Sequence, residues 1–264
     1  APEFFSHLEQ TTGVSTGYQK TGGLWLSQTP ARDIELQRIA ALGTSMGFHI
    51  DLMNSQQLAL QQSWLNNNHI TSAMWVEEDG QANAVDVCQA LAKGAQAFGV
   101  SIAQNCLISN VQRLENGQGY RLTVANGEHY ECAKLVVCAG MWSNNLLSQL
   151  GLHLPLQGVE HMYLVTEAIA GLPSPVPITR GLDARIYCKG EAGKLVLGGF
   201  EKHAKLVSDK LPALQEAYAL FGEDWEQFEP FIEACIKRFP QLATSGIQTF
   251  INGPESFTYD TQPI

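Results

Sequence analysis

Several kinds of chemistry are missing from this 264-residue sequence. It has no C-x-x-C pair and no cysteine with a neighbouring histidine at metal spacing, which excludes a zinc site of the common types. No cluster of Lys or Arg occurs, and 16 basic residues against 26 acidic ones leave a formal charge of −10. That balance excludes a polyanionic partner such as nucleic acid. No apolar run approaches the ~18 residues of a membrane-spanning helix, and the first residues carry neither a basic n-region nor an apolar h-region, so no membrane span is expected. Also absent are G-x-G-x-x-G after a strand, G-x-x-x-x-G-K-[ST] and H-E-x-x-H. The chain therefore has no phosphate-cradling loop and no zinc-protease helix of its own.

What is present is globular. Hydrophobic residues make up 45% and charged residues 16%, with aromatics along the whole length, enough for one large domain or two small ones. Of the six cysteines, Cys138 in LVVCAG and Cys106 in NCLI lie in apolar, strand-like runs, where buried reduced thiols are expected. A reducing compartment follows, the cytoplasm or, in a eukaryote, the mitochondrial matrix.

The pattern along the chain changes twice. FFSHLEQTTG reads as a short amphipathic helix ending near Gly13, Leu24-Trp25-Leu26 as a compact strand, and Thr29-Pro30 as the opening of a helix with Ile34, Ile39, Leu42 and Met46 at nearly helical spacing. A strand over Ile70 to Val76 ends at the Asp79-Gly80 turn. Asp86 with Gln89 resembles a capping box, followed by Val87, Leu91, Ala95 and Phe98 on one helical face and a stop at Gly99. Strands are expected at Val100 to Ala103, Leu107 to Leu114, Tyr120 to Val124 and Leu135 to Ala139, with turns at Asn116-Gly117 and Asn126-Gly127; the LVVCAG strand reads as buried on both faces. Short strands return at Met162 to Thr166, Ala184 to Cys188 and Leu195 to Phe200. Two helices follow, through Leu211, Leu214 and Tyr218 and then through Trp225, Phe228, Ile232, Cys235 and Phe239, before a last strand at Ile247 to Ile251. Strand-rich, then helix and sheet, then strand-rich again is the order of two domains threaded through each other, an α/β (α+β) fold in which Gly22 to Val76 and Leu152 to Ile251 build one largely antiparallel sheet.

An apolar strand ending in Ala139-Gly140 before Met141-Trp142 lets a backbone or a flat ligand approach, because no side chain stands in the way; an ordinary strand-to-helix turn has the same pattern. The A-G-x-W segment resembles the point where the FAD-binding domain of glycine oxidase and of sarcosine and dimethylglycine dehydrogenases meets its cofactor. The resemblance continues in order through TTGVSTGYQKTGGLWLSQTPARDIELQR, DVCQALAKGAQAFGVSI, the His161-Met162-Tyr163-Leu164-Val165-Thr166 strand, Asp183 to Tyr187 with Leu197 to Glu201, and Asn252-Gly253-Pro254-Glu255. Nearly the whole chain is similar to this D-amino-acid oxidase/glycine oxidase superfamily. Tyr259 stands where the family has Pro, and Val85-Asp86 where it has D-P.

The resemblance implies a partial FAD-binding domain over residues 85–151, a substrate domain in two parts over 1–84 and 152–252, and a return toward the FAD domain over 253–264. The family's glycine-rich FAD fingerprint is expected before Ala1 and its return to the flavin after Ile264. The implied activity is FAD-dependent oxidation of a secondary or tertiary amine such as sarcosine or dimethylglycine, giving an iminium that water hydrolyses. The implied partners are a small amine and an electron acceptor that the resemblance does not specify. Carried over by position, Ile108, Ala139, Gly140 and Trp142 contact FAD, with the backbone of Ile108 at the adenine. Tyr163 and His161 share a face of the substrate strand and act on the amine; Arg185, or Arg180, anchors a carboxylate, with Tyr187 beside it. A core histidine and solvated strand arginines are the alternatives. A non-catalytic regulatory homologue, or a fragment with no function alone, would carry the same resemblance.

Overall fold

The structure, a computed structural model, describes residues 2–115, 117–207 and 220–264. In chain order its elements are α1 (Pro2–Thr12), β1 (Gly23–Ser27), α2 (Pro30–Ser45), β2 (Ile50–Asn54), α3 (Ser55–Gln61), β3 (Ser72–Val76), α4 (Ala84–Ala97), β4 (Ile108–Arg113), β5 (Tyr120–Val124), β6 (His129–Cys132), α5 (Ser143–Leu147), β7 (Leu156–Thr166), β8 (Ile178–Gly181), β9 (Ile186–Glu191), β10 (Lys194–Gly199), α6 (Trp225–Arg238) and β11 (Ile247–Thr258). The mixed α/β class expected from the sequence is what forms.

The residues gather into two compact units, one of Ala1–Ser101, Met162–Glu201 and Glu223–Ile251, the other of Ile102–His161, Lys202–Gly222 and Asn252–Ile264. The first is built on a sheet of order β11-β7-β10-β9-β8-β1-β3-β2, so the strands of the N-terminal segment and those after residue 152 do share one sheet. Among the pairs whose register is defined, all are antiparallel except β1 with β8, whose partners run Gly23↔Ile178 to Leu26↔Gly181. Alternation along the strands sorts side chains to two faces. One face carries Leu24, Leu26, Ala73, Leu164, Ile186, Cys188, Leu195 and Leu197, which pack with Phe228, Phe231 and Cys235 of α6. On the other face α2 lays Leu36 and Ala40 over Met74, with Trp25 at the margin.

Local chemistry explains the helix ends. Thr29 caps α2 by accepting from the Arg32 N–H, with Pro30 at the first position. In α6 the Asp224 carboxylate accepts from the Gln227 N–H at 3.2 Å, and Lys237 and Arg238 lie at the negative end of the helix dipole. Phe228 is wholly buried, a burial of about 1.5–3 kcal/mol for a large apolar side chain.

Several expectations need correction. The run over Leu135 to Ala139 forms no strand and Val136 is 82% exposed. An apolar run becomes a buried strand only beside pairing neighbours, and none pairs with it among the described residues. Val100 to Ala103 is likewise not a strand. Asp86 does not cap α4; Asn83 does, accepting from the N–H groups of Val85 and Asp86. The apolar periodicity of α2 and α4 holds in part: Ile39 packs against the Leu36–Ala40–Met74 cluster, and Val87 and Ala95 are half-buried. Ile34, Leu42, Met46, Leu91 and Phe98 are exposed, while α4 packs on α1 through Ala90 and Gly94, where a Cβ on Gly94 would lie 3.4 Å from Thr12. Cys138 is exposed and Cys106 half-buried; the buried thiols are Cys188 and Cys235, and all six are free. The helix expected through Leu211, Leu214 and Tyr218 falls outside the described residues. Among the described residues no helix is long and apolar enough to cross a membrane.

Candidate functional site

In the second unit, Ile108, Ala139, Gly140 and Trp142 line a single cavity of about 760 Å³. One wall is Cys106 to Ser109, entering β4; the other is Cys138 to Trp142, entering α5, with Asn145, Leu146 and Gln149 completing it. The Gly140–Trp142 turn is closed by the Trp142 N–H donating to the Ala139 carbonyl at 3.1 Å. Gly140 adopts φ +54, and a Cβ there would meet nothing within 4 Å, so backbone conformation rather than crowding favours glycine. Between Ile108 and Asn110 the β4–β5 register shifts, a bulge that re-aims the strand where it borders the cavity. The Gln149 side chain bridges this irregularity, accepting from the Val111 N–H at 2.9 Å and donating to the Ser109 carbonyl at 3.4 Å.

Among the described residues the buried Trp142 indole N–H finds no hydrogen-bond partner. A largely apolar cavity within the roughly 300–1,000 Å³ of small-molecule sites, with an orphaned donor in its wall, fits a large planar ligand with polar edges, FAD included.

Also in the second unit, His161 of β7 is nearly buried and its Nε2 lies 3.7 Å from a Glu255 carboxylate oxygen on β11, with the Phe257 ring edge-on at 6.2 Å. On the alternate face of β7, Glu160 is buried and accepts from the Asn252 side-chain amide at 2.9 Å. Neither the Glu160–Asn252 pair nor Glu255 was found from sequence. Asn252 and Glu255 lie in the N-G-P-E segment, which was the only signal available.

In the first unit the register places Tyr163 opposite Gly198, Gly198 opposite Tyr187, Tyr187 opposite Arg180, and Arg180 opposite Trp25. Residues directly opposite in a ladder share a face, so this is one rank across β7, β10, β9, β8 and β1. Gly198 is required by contact. A Cβ there would lie 2.5 Å from the Tyr187 hydroxyl oxygen, so the tyrosine ring lies over the strand at that point. Among the described residues the Tyr163 phenol makes no hydrogen bond.

Arg180 stacks on Trp25 at 4.8 Å and draws down the pKa of the half-buried Asp79, which burial raises. Its strand is three from that of Tyr163, roughly 14 Å between backbones at the ~4.8 Å strand spacing. Arg185 is exposed in the turn before β9 at φ +54, its N–H donating to the Leu182 carbonyl at 3.2 Å and its carbonyl accepting from the Phe200 N–H at 2.9 Å. That left-handed residue interrupts the alternation that puts Tyr187 on the Tyr163 face. The structure thus brings Tyr163 and Tyr187 together across Gly198 and leaves Arg185 at the end of the sheet.

The whole chain, residues 1–264, matches the family described as DAO, FAD dependent oxidoreductase. It is 31% identical over 263 residues to sarcosine dehydrogenase, mitochondrial, of Mus musculus, covering 97% of the chain and 28% of that protein. It is 34% identical over 265 residues to the pyruvate dehydrogenase phosphatase regulatory subunit, mitochondrial, of Mus musculus, covering 99% of the chain and 30% of that protein. The chain therefore spans less than a third of the length of these curated relatives. Glycine oxidase from Geobacillus kaustophilus has the same fold, with a TM-score of 0.78 at 17% identity over 99% of this chain and 66% of that one. This chain belongs to the FAD-dependent oxidoreductase family, whose cofactor is FAD.

Proposed function

We propose that the full-length protein oxidises a secondary or tertiary amine, such as sarcosine or dimethylglycine, with FAD. The observation that carries this reading is the Tyr163 phenol, without a hydrogen-bond partner among the described residues and on the same sheet face as Tyr187 across Gly198. In this reading Ile108, Ala139, Gly140 and Trp142 hold FAD in the cavity they line, the Ala-Gly turn admitting a flat group and the Trp142 N–H gaining an acceptor. Bound FAD supplies a two-electron oxidant that takes a hydride from the carbon next to nitrogen. The chain's own residues prepare the amine. The neutral amine is the reactive form, and the Tyr163 oxygen accepts the hydrogen bond or the proton that the incoming ammonium carries. His161, whose Nε2 lies 3.7 Å from a Glu255 carboxylate oxygen, is the imidazole on the same strand. Tyr187 walls the site over Gly198, and Arg185 or Arg180 takes a substrate carboxylate through its paired N–H donors. Water then hydrolyses the iminium product.

Tyr163→Phe in the full-length protein tests this assignment. Loss of an orienting and proton-handling group is expected to slow flavin reduction by roughly 10²- to 10⁴-fold in single turnover. Unchanged single-turnover kinetics would remove Tyr163 from the chemistry. A mitochondrial matrix location belongs to the same reading for a eukaryotic source, and the word mitochondrial in the names of both relatives supports it.

A second reading is favoured by the 34% identity to a phosphatase regulatory subunit, namely a non-catalytic homologue that uses the same fold as an interaction surface. The two separate on one observation. A regulatory protein leaves bound FAD oxidised in the presence of every N-methylated amine.

A further inference from the structure

Arg238, at the last turn of α6, is 8% exposed. Its guanidinium donates to the Asn66 carbonyl, and the Asn66 N–H returns a bond to the Arg238 carbonyl at 2.9 Å. Among the described residues no carboxylate pairs with it, and burial alone pushes its pKa down, with no neighbouring charge acting on it. Buried charges in folded proteins are paired, because an isolated ion loses hydration that nothing replaces. A guanidinium has five N–H donors, and one backbone carbonyl leaves most of them unused.

Arg238 also lines a cavity of about 170 Å³ within the first unit. The other walls are mainly apolar, Leu26, Ala184, Ile186, Pro230 and Ala234, with Gln28 the uncharged polar exception. Lys237 borders the cavity as well, with its ammonium 3.8 Å from Glu233 on the solvent side. Leu26 and Ile186 belong to the α6 face of the sheet, opposite the face of Tyr163 and Tyr187.

We propose that this cavity is a second ligand site, in which the Arg238 guanidinium receives the carboxylate of a small monocarboxylate whose short apolar body fills the space between Ala184, Pro230 and Ala234. The planar fork matches a carboxylate through two parallel N–H···O bonds. The walls argue for the body: a phosphate would need donors on several sides, and the lining offers Arg238, Lys237 at the solvent edge and one amide among apolar groups. This site is independent of the amine-oxidation reading and stands if that reading fails.

Thermal unfolding of the full-length FAD-loaded protein tests the proposal, with sodium propionate as probe and sodium chloride at equal ionic strength as control. A ligand that binds only the folded state raises Tm in a concentration-dependent way, by the linkage of binding to folding. The expected result is a rise of several degrees with propionate over chloride that Arg238→Met abolishes. Because Arg238→Met also breaks the bond to Asn66, which itself ties α6 down, Ala184→Met is the second variant. It fills the cavity, keeps the arginine and is expected to lose the propionate response. Propionate no better than chloride in the wild type would overturn the proposal, as would a full response in Ala184→Met. Inorganic phosphate is the third arm, and stabilisation by phosphate but not by propionate would also overturn the carboxylate assignment.

Discussion

Gly198 gives the sharpest test of how the sheet face around Tyr163 is built. A methyl at this position would lie 2.5 Å from the Tyr187 hydroxyl oxygen, 2.6 Å from its Cζ and 2.9 Å from the Met162 carbonyl oxygen. The first two contacts are far inside van der Waals distance, so in Gly198→Ala the Tyr187 ring must swing away or β10 must move. Overpacking of this kind costs about 1–3 kcal/mol. The third contact is with backbone, is closer than real Cβ atoms come, and cannot be relieved by turning a side chain. Part of the cost therefore belongs to Tyr187 and should disappear when that ring is removed, while the rest stays with the strand. Urea unfolding of the wild type, Gly198→Ala, Tyr187→Ala and the double variant forms a cycle. The expected coupling is of the order of 1–2 kcal/mol, within the range for residues in contact, with Gly198→Ala costing less in the Tyr187→Ala background than in the wild type. Equal cost in both backgrounds would refute the placement of the ring over Gly198.

Three further outcomes follow. The Cys235 thiol is pushed up to about 12 by burial and Cys188 is raised well above its ordinary value by the same cause, so a thiol reagent at neutral pH should label the exposed Cys88 and Cys138 in the native protein and spare Cys188 and Cys235 until it unfolds. Asp79 has a folded-state pKa raised mainly by burial, so its ionised form costs stability that is absent below the unfolded-state pKa and grows as pH rises through the folded one; Asp79→Asn should be the more stable protein at pH 7, with the gap closing under acid in chemical denaturation, and a gap that widens under acid would reverse the assignment. The 264-residue chain by itself contains no glycine-rich phosphate loop, so after incubation with FAD and desalting it should be colourless, whereas a stoichiometric yellow complex would mean that the Ile108–Trp142 cavity suffices for tight binding.

How much was legible in the sequence depended on whether the signal was local. The helix opened by Thr29-Pro30 and the stop of α6 before Pro240 are written in capping and turn residues, and they formed as expected, while the turn expected at Asp79-Gly80 falls at Glu77-Glu78. The shared sheet was legible from the interrupted order of patterns. The strand over Leu135 to Ala139 failed because apolar composition does not supply a pairing neighbour. β2 and α3 were missed although Asn54 and Gln57 form a capping box, since Ile50 to Asn54 shows no clean alternation. The convergence of Ile108 with Ala139, Gly140 and Trp142 came from family resemblance; nothing in their spacing brings a strand start and a turn some 30 residues later into one cavity. Arg238 gave no sequence signal, because a basic residue in the last turn of a helix is ordinarily a solvated partner of the dipole.

The central claim is that the full-length protein uses FAD to oxidise an N-methylated amine, and anaerobic single-turnover mixing with sarcosine and with dimethylglycine addresses it directly. The account predicts bleaching of the oxidised flavin spectrum with one equivalent of formaldehyde released per flavin reduced. Flavin that stays oxidised with both amines, in protein that demonstrably holds FAD, would contradict it and leave the regulatory homologue as the reading of this chain.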